Sequence, residues 1–156
     1  MRFEHIIEIN SPSTSVQLAV PGFTRAQLWQ GMLIRVKEPG RFPLGPERCD
    51  WTLTDEGHYL RTLHFGQLVM RDRVDALEAD SLVFTPEAHG DTTPIRLTMR
   101  IEEPHPGQMV LRFVYESLGE LSAEEAYYND YRQSAWLAND RDMVRTLRQW
   151  LNETGL

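Results

Sequence analysis

The sequence has one cysteine, Cys49, so no disulfide can form within the chain. It is not read as a catalytic thiolate. No stretch approaches the ~20 apolar residues that a membrane-spanning helix needs. The opening residues, Met1 to His5, lack the apolar core of a signal peptide, so a cytoplasmic location is the expectation. Basic residues are outnumbered: 16 Lys and Arg face 23 Asp and Glu, for a net charge of −7. Phosphate binding needs a basic face, and an anionic lipid surface repels an acidic chain. Neither nucleic acid nor a membrane is therefore expected as a partner, and the sequence sets no oligomeric state. There is no G-x-S-x-G, P-loop or G-x-G-x-x-G motif. The histidines are scattered. His58 and His64 share a strand face but stand about 20 Å apart at strand rise. His5, His89 and His105 have no partner at metal-ligand spacing. No metal and no cofactor are expected.

What is present is ordinary apolar material, 41% hydrophobic against 25% charged, enough for the core of one domain spanning residues 1–156. The clearest signal is the last stretch, Ser122 to Thr154. Ser122 and Glu125 form an S-x-x-E capping box, and no Pro or Gly follows until Gly155. This predicts one long helix of roughly 45 Å. At 100° per residue, Trp136, Met143, Leu147, Trp150 and Leu151 share a side, with Val144 at its edge and Tyr128, Tyr131 and Ala135 extending it. Asp140 falls in the middle of that apolar stripe. If the stripe packs on a sheet, the carboxylate is carried inside and must find a donor there, such as Arg61, a Tyr hydroxyl or a backbone amide.

The rest is mostly strand. Residues 3–9 alternate, and Asn10 to Ser13 break the pattern. Residues 16–20 read as extended until Pro21. Thr24 and Gln27 make a second capping box, opening a helix with Leu28, Met32 and Val36 at helical spacing. From Glu47 to Ser117 the period changes from 3.6 to 2, giving candidate strands 47–54, 58–65, 67–77, 81–87, 94–102 and 108–117. Their connections are short, as in an antiparallel meander. Cys49, Trp51 and Leu53 alternate and are expected to be packed. A turn at Gly66 places Arg61 opposite Asp72, both on the side that faces the helix, while Arg71 and Arg73 point outward.

The order strand, helix, six strands, long helix, with R-T-L-H-F-G at 61–66 and V-M-R-D-R-V-D at 69–75, resembles the START-like superfamily. The second string is close to the strand motif Y-V-K-D-R-V-D of the birch pollen allergen. T-R-A-Q-L-W-Q-G at 24–31 and W-L-A-N-D-R-D-M-V at 136–144 resemble its AtaL-like branch, a bacterial and fungal family. The resemblance implies an α+β helix-grip fold: a seven-stranded antiparallel sheet wrapped around a long C-terminal helix, with a short helical segment after the first strand. It also implies a pocket for hydrophobic ligands, and it agrees that Asp72 faces that pocket. The plant members carry a glycine-rich loop after their second strand, where this chain has only Asp55, Glu56 and Gly57.

The expected function is binding of a small hydrophobic or amphipathic molecule, in a cavity of about 300 Å³ or more between sheet and helix. Its lining candidates are Arg61, Leu63, Phe65, Met70, Asp72, Leu97, Met99, Phe113, Tyr115, Trp136, Asp140 and Met143. Tyr115, Tyr128 and Tyr131 offer hydroxyls on an apolar wall. The alternative is a polyketide cyclase or aromatase-like enzyme using the same cavity, with acid–base work by Asp72, Arg61, His64 or Asp140. A protein-interaction module with an acidic surface is the third class considered.

Overall fold

The computed structural model describes residues 1–11, 22–154 and 156. The extended stretch expected at 16–20, its break at Pro21 and the helix stop at Gly155 lie outside the described residues. The strands are β1 (Arg2–Asn10), β2 (Arg48–Leu53), β3 (His58–Phe65), β4 (Leu68–Leu77), β5 (Ser81–Pro86), β6 (Ile95–Glu102) and β7 (Met109–Ser117). The helices are α1 (Arg25–Lys37), α2 (Ala123–Tyr127) and α3 (Asn129–Thr154), with a short 3-10 turn at Pro39–Arg41.

All seven strands make one antiparallel sheet in the order β1-β7-β6-β5-β4-β3-β2. From β2 to β7 each short connection joins neighbours. Among the described residues, α1 and the loop after it carry the chain from β1 at one edge to β2 at the other. Register follows the turns. Gly66, at φ 61°, lets the β3–β4 hairpin reverse over two residues and pairs Arg61 with Asp72. The β4–β5 turn has Glu78 and Ala79 at φ 52° and 51°, a conformation that side chains make costly.

Side-chain parity then sorts the faces. The concave face collects Tyr59, Val74, Leu82, Phe84, Met99, Ile101, Leu111, Phe113 and Tyr115, all buried. The convex face over β1, β7 and β6 carries ions instead, with the Arg112 guanidinium bridging Glu102 and Glu4. Both helix starts are capped as the sequence predicts. The Gln27 amide donates to Thr24 Oγ1 at 3.1 Å, and the Glu125 amide donates to Ser122 Oγ at 3.1 Å.

Helix α3 lays Met143, Val144, Leu147 and Leu151 into the core, and α1 adds Leu28, Met32 and Val36. The two helices meet closely: a Cβ on Gly31 would stand 2.7 Å from Leu147 Cδ2. A side chain there would require buried Leu147 to move.

Three expectations are corrected. The terminal helix is two segments, because the chain departs from helical geometry at Tyr128 (φ −91°, ψ 6°). Glu125 explains the break: it accepts from the Thr93 amide and hydroxyl at 3.0 and 2.9 Å, tying α2 to the segment before β6. Helix α3 is aligned instead by the sheet. Second, Tyr128, Tyr131 and Ala135 do not extend the buried stripe, and Tyr131 is 80% exposed. They precede the point where α3 reaches the sheet. Third, Trp51 and Leu53 are exposed. They sit on the edge strand β2, where the Trp51 ring meets the Tyr59 ring edge-on at 5.5 Å and Lys37 at 5.7 Å, but among the described residues no helix covers it.

Candidate functional site

The concave face is not evenly filled. Over β1 and β7 it is packed solid by α3: Trp136 stacks on Tyr115 with ring centres 4.2 Å apart, and Phe3 lies against both. Over β3, β5 and β6 the cover is the end of α1 and the loop up to Pro46, and there a gap remains. It measures about 280 Å³, slightly under the expected size, because Met99, Phe113, Tyr115 and Met143 fill the space beneath α3. Leu63 and Phe65 of β3, Phe84 of β5 and Leu97 of β6 form its apolar wall. Arg35 of α1, Asn139 of α3 and Arg61 supply polar groups, and Pro39, Leu44, Gly45 and Pro46 close the loop side. Leu44 is 85% exposed and holds φ 60°. Beyond Phe65 the same sheet face continues through Leu68 and Met70, both exposed, as an apolar strip leading outward.

Arg61 and Asp72 form a buried bidentate pair: Nε donates to Oδ1 at 2.8 Å and Nη2 to Oδ2 at 2.6 Å. The remaining nitrogen, Nη1, donates to the carbonyls of Val36 at 2.9 Å and Arg35 at 3.3 Å, capping the end of α1. The Arg61 guanidinium carbon also lies 5.2 Å from the Phe84 ring centre. Nearly all its donors are committed, so the pair's main work is to pin α1 to the β3–β4 hairpin.

Asp140, 3% exposed, is held by other residues than Arg61. Its Oδ2 accepts from the Tyr115 hydroxyl at 2.7 Å and lies 2.8 Å from His5 Nε2. Burial pushes the Asp140 carboxyl above its ordinary range, and the His5 and Tyr115 bonds pull against that rise. Burial and the adjacent carboxylate push the Tyr115 hydroxyl well up, so it stays a donor. The His5 ring stacks on Phe113 at 4.9 Å.

Of the twelve candidates, Arg61, Leu63, Phe65 and Leu97 line the gap. Asp72 stands behind Arg61, and Met70 lies on the strip outside. Met99, Phe113, Tyr115 and Met143 are core, Trp136 packs against that core, and Asp140 sits in the network beside it. His64 points to the convex side, 3.5 Å from Asp50, and is remote from the gap. Tyr128 and Tyr131 offer their hydroxyls to solvent. The sequence reading missed Arg35, Asn139, Leu44 and Phe84. Phe84 could have been found, since register pairs it with buried Val74. Arg35 follows Met32 by three positions, so it too was on the inward side of α1. His5 shares parity with Phe3 and Ile7 in the alternating first strand, but it was not read as a site residue.

Residues 7–154 match the family model described as acetylaranotin biosynthesis cluster protein L, AtaL. The chain belongs to the AtaL family. No curated protein sequence matches it. Its fold is shared with solved structures of low identity. The di-domain ARO/CYC StfQ of the steffimycin biosynthetic pathway superposes with a TM-score of 0.69 at 13% identity, over 97% of this chain and 50% of that one. This chain thus spans half of the StfQ chain. The Zhui aromatase/cyclase from Streptomyces sp. R1128 gives 0.67 at 10% identity, covering 100% and 99% of the two chains. Norcoclaurine synthase from Thalictrum flavum gives 0.65 at 12% identity, over 98% and 87%. At such identities the likeness establishes the helix-grip fold. Among the described residues, no helix is long and apolar enough to cross a membrane.

Proposed function

We propose that this AtaL-family chain is a single domain that binds a small apolar or amphipathic molecule in the gap between α1, its following loop and strands β3, β5 and β6. The observation that carries the reading is the apolar wall of Leu63, Phe65, Phe84 and Leu97 left uncovered at the end of α1. Over β1 and β7, the side chains of α3 close the same distance. The gap opens to solvent, and its apolar wall offers a small molecule a surface to bury. The strip of Phe65, Leu68 and Met70 gives a ligand an apolar way in.

Titration with Nile red tests this, with native mass spectrometry of the purified chain to weigh any retained molecule. Leu97→Trp fills the gap and is expected to abolish the fluorescence rise. A wild-type chain that neither retains a molecule nor brightens the dye would overturn the reading.

A biosynthetic catalyst acting in the same gap, of the cyclase or aromatase kind, is the second reading. It is favoured by the family's description as a biosynthesis-cluster protein and by the fold shared with aromatase/cyclases. A molecule recovered unchanged after incubation supports binding, and one recovered with altered mass or connectivity supports catalysis.

A further inference from the structure

The gap holds two guanidinium groups of different status. Arg61 is neutralised by Asp72 and has its donors committed to that carboxylate and to the carbonyls of α1. Arg35 is part-buried on the opposite wall, and none of its guanidinium donors has a hydrogen bond or an ion pair among the described residues. Its guanidinium carbon lies 5.2 Å from the Phe42 ring centre, so the plane is braced by an aromatic face and not by an acceptor. Burial pushes its pKa down from the ordinary value, opposed by the field of Asp140. Asp140 attracts it through space but makes no ion pair with it, and its Oδ2 is engaged by Tyr115 and His5.

A part-buried cation without a partner is costly, and it leaves positive potential in an otherwise apolar gap. The planar fork of donors matches a carboxylate in two-point contact. The Asn139 amide lines the same space, and the apolar wall of Leu63, Phe65, Phe84 and Leu97 receives whatever the head group carries. We infer that the ligand of this gap is an apolar molecule bearing one carboxylate-type anionic head, and that Arg35 is the residue that holds the head. The inference rests on the proposed binding function and specifies its ligand class.

The test uses two planar probes of one shape, 2-naphthoate and its neutral counterpart 2-naphthamide, titrated by calorimetry or intrinsic fluorescence. The wild-type chain is expected to bind the anion about tenfold or more tightly than the amide, as a charge-assisted pair in a shielded site should. Arg35→Gln is expected to erase that preference while the amide binds as before. Arg35→Lys is expected to retain part of it, since a point charge replaces the fork. Denaturation midpoints check that the variants fold, and the wild-type comparison needs no variant. Equal binding of both probes by the wild type, or a preference that survives in Arg35→Gln, would overturn the inference and leave the binding function standing. Binding of neither probe would overturn both.

Discussion

The residue that most depends on its neighbours is Asp140. Its charge sits in the seam between α3 and the β1–β7 edge, answered by a phenol and an imidazole in place of a guanidinium. Asp140→Ala leaves the Tyr115 hydroxyl and the His5 ring without that acceptor in a dry place. The loss is expected to be about 1–3 kcal/mol, read from urea midpoints, with an unchanged midpoint counting against the network. Glu125 is the contrasting acid. Bonds from the Ser122 and Thr93 amides and the Thr93 hydroxyl hold its carboxyl down at about 2. A depressed folded value means that its contribution is fully present above the ordinary range near 4.5 and is lost as pH falls toward 2. Glu125→Gln is expected to lower stability at neutral pH and to flatten the acid limb of a stability-against-pH curve, with the difference from wild type shrinking as pH falls toward 2. Asp140 works in the opposite sense. Its raised folded value makes stability fall as pH climbs through the interval above its ordinary value.

Among the elements, the β4–β5 hairpin stores the plainest backbone cost. Its turn closes with the Asp80 amide on the Leu77 carbonyl at 2.9 Å, and both central residues have positive φ although neither is glycine or asparagine. Replacing Glu78 and Ala79 by Asn and Gly suits that turn and is expected to stabilise the chain by about 1 kcal/mol, less the extra entropy glycine gives the unfolded chain. A denaturant midpoint that does not rise would show that the turn costs nothing. The terminal helix shows how element boundaries escape sequence reading. Its capping box and its core stripe were both legible, because each is a pattern within a few turns of helix. The break at Tyr128 was not, because it arises from Thr93, about thirty residues earlier in the chain, gripping Glu125.

At the scale of the molecule, two covers share one sheet. Helix α3 fills the side over β1 and β7 with Trp136, Met143 and Leu147, and the end of α1 with its loop roofs the side over β3, β5 and β6 incompletely. The Arg61–Asp72 pair holds that roof to the hairpin below it, so the site's geometry depends on an ion pair that need not touch the ligand. The long helix therefore supplies Asn139 to the gap and little more, although the sequence centred the ligand site on that helix.

The sequence by itself determined what is periodic or local. Alternation in six consecutive stretches specified the strands and their inner faces, and Gly66 specified the Arg61–Asp72 register. Two capping boxes specified where helices begin, and the 69–75 and 136–144 motifs carried the family resemblance. All of these depend on neighbours a few residues apart, or on a turn that brings two strands into step. Only the tertiary structure decided which inward residues meet an atom and which meet a gap. Met99 and Leu97 are two positions apart on one strand face, yet one is sealed in the core and the other lines the space. Arg35 and Arg61 are both inward guanidiniums, yet only Arg61 has a carboxylate beside it. The difference comes from how far α1 and its loop stand from the sheet. That distance is set by packing among all the elements at once, and no single stretch of the chain records it.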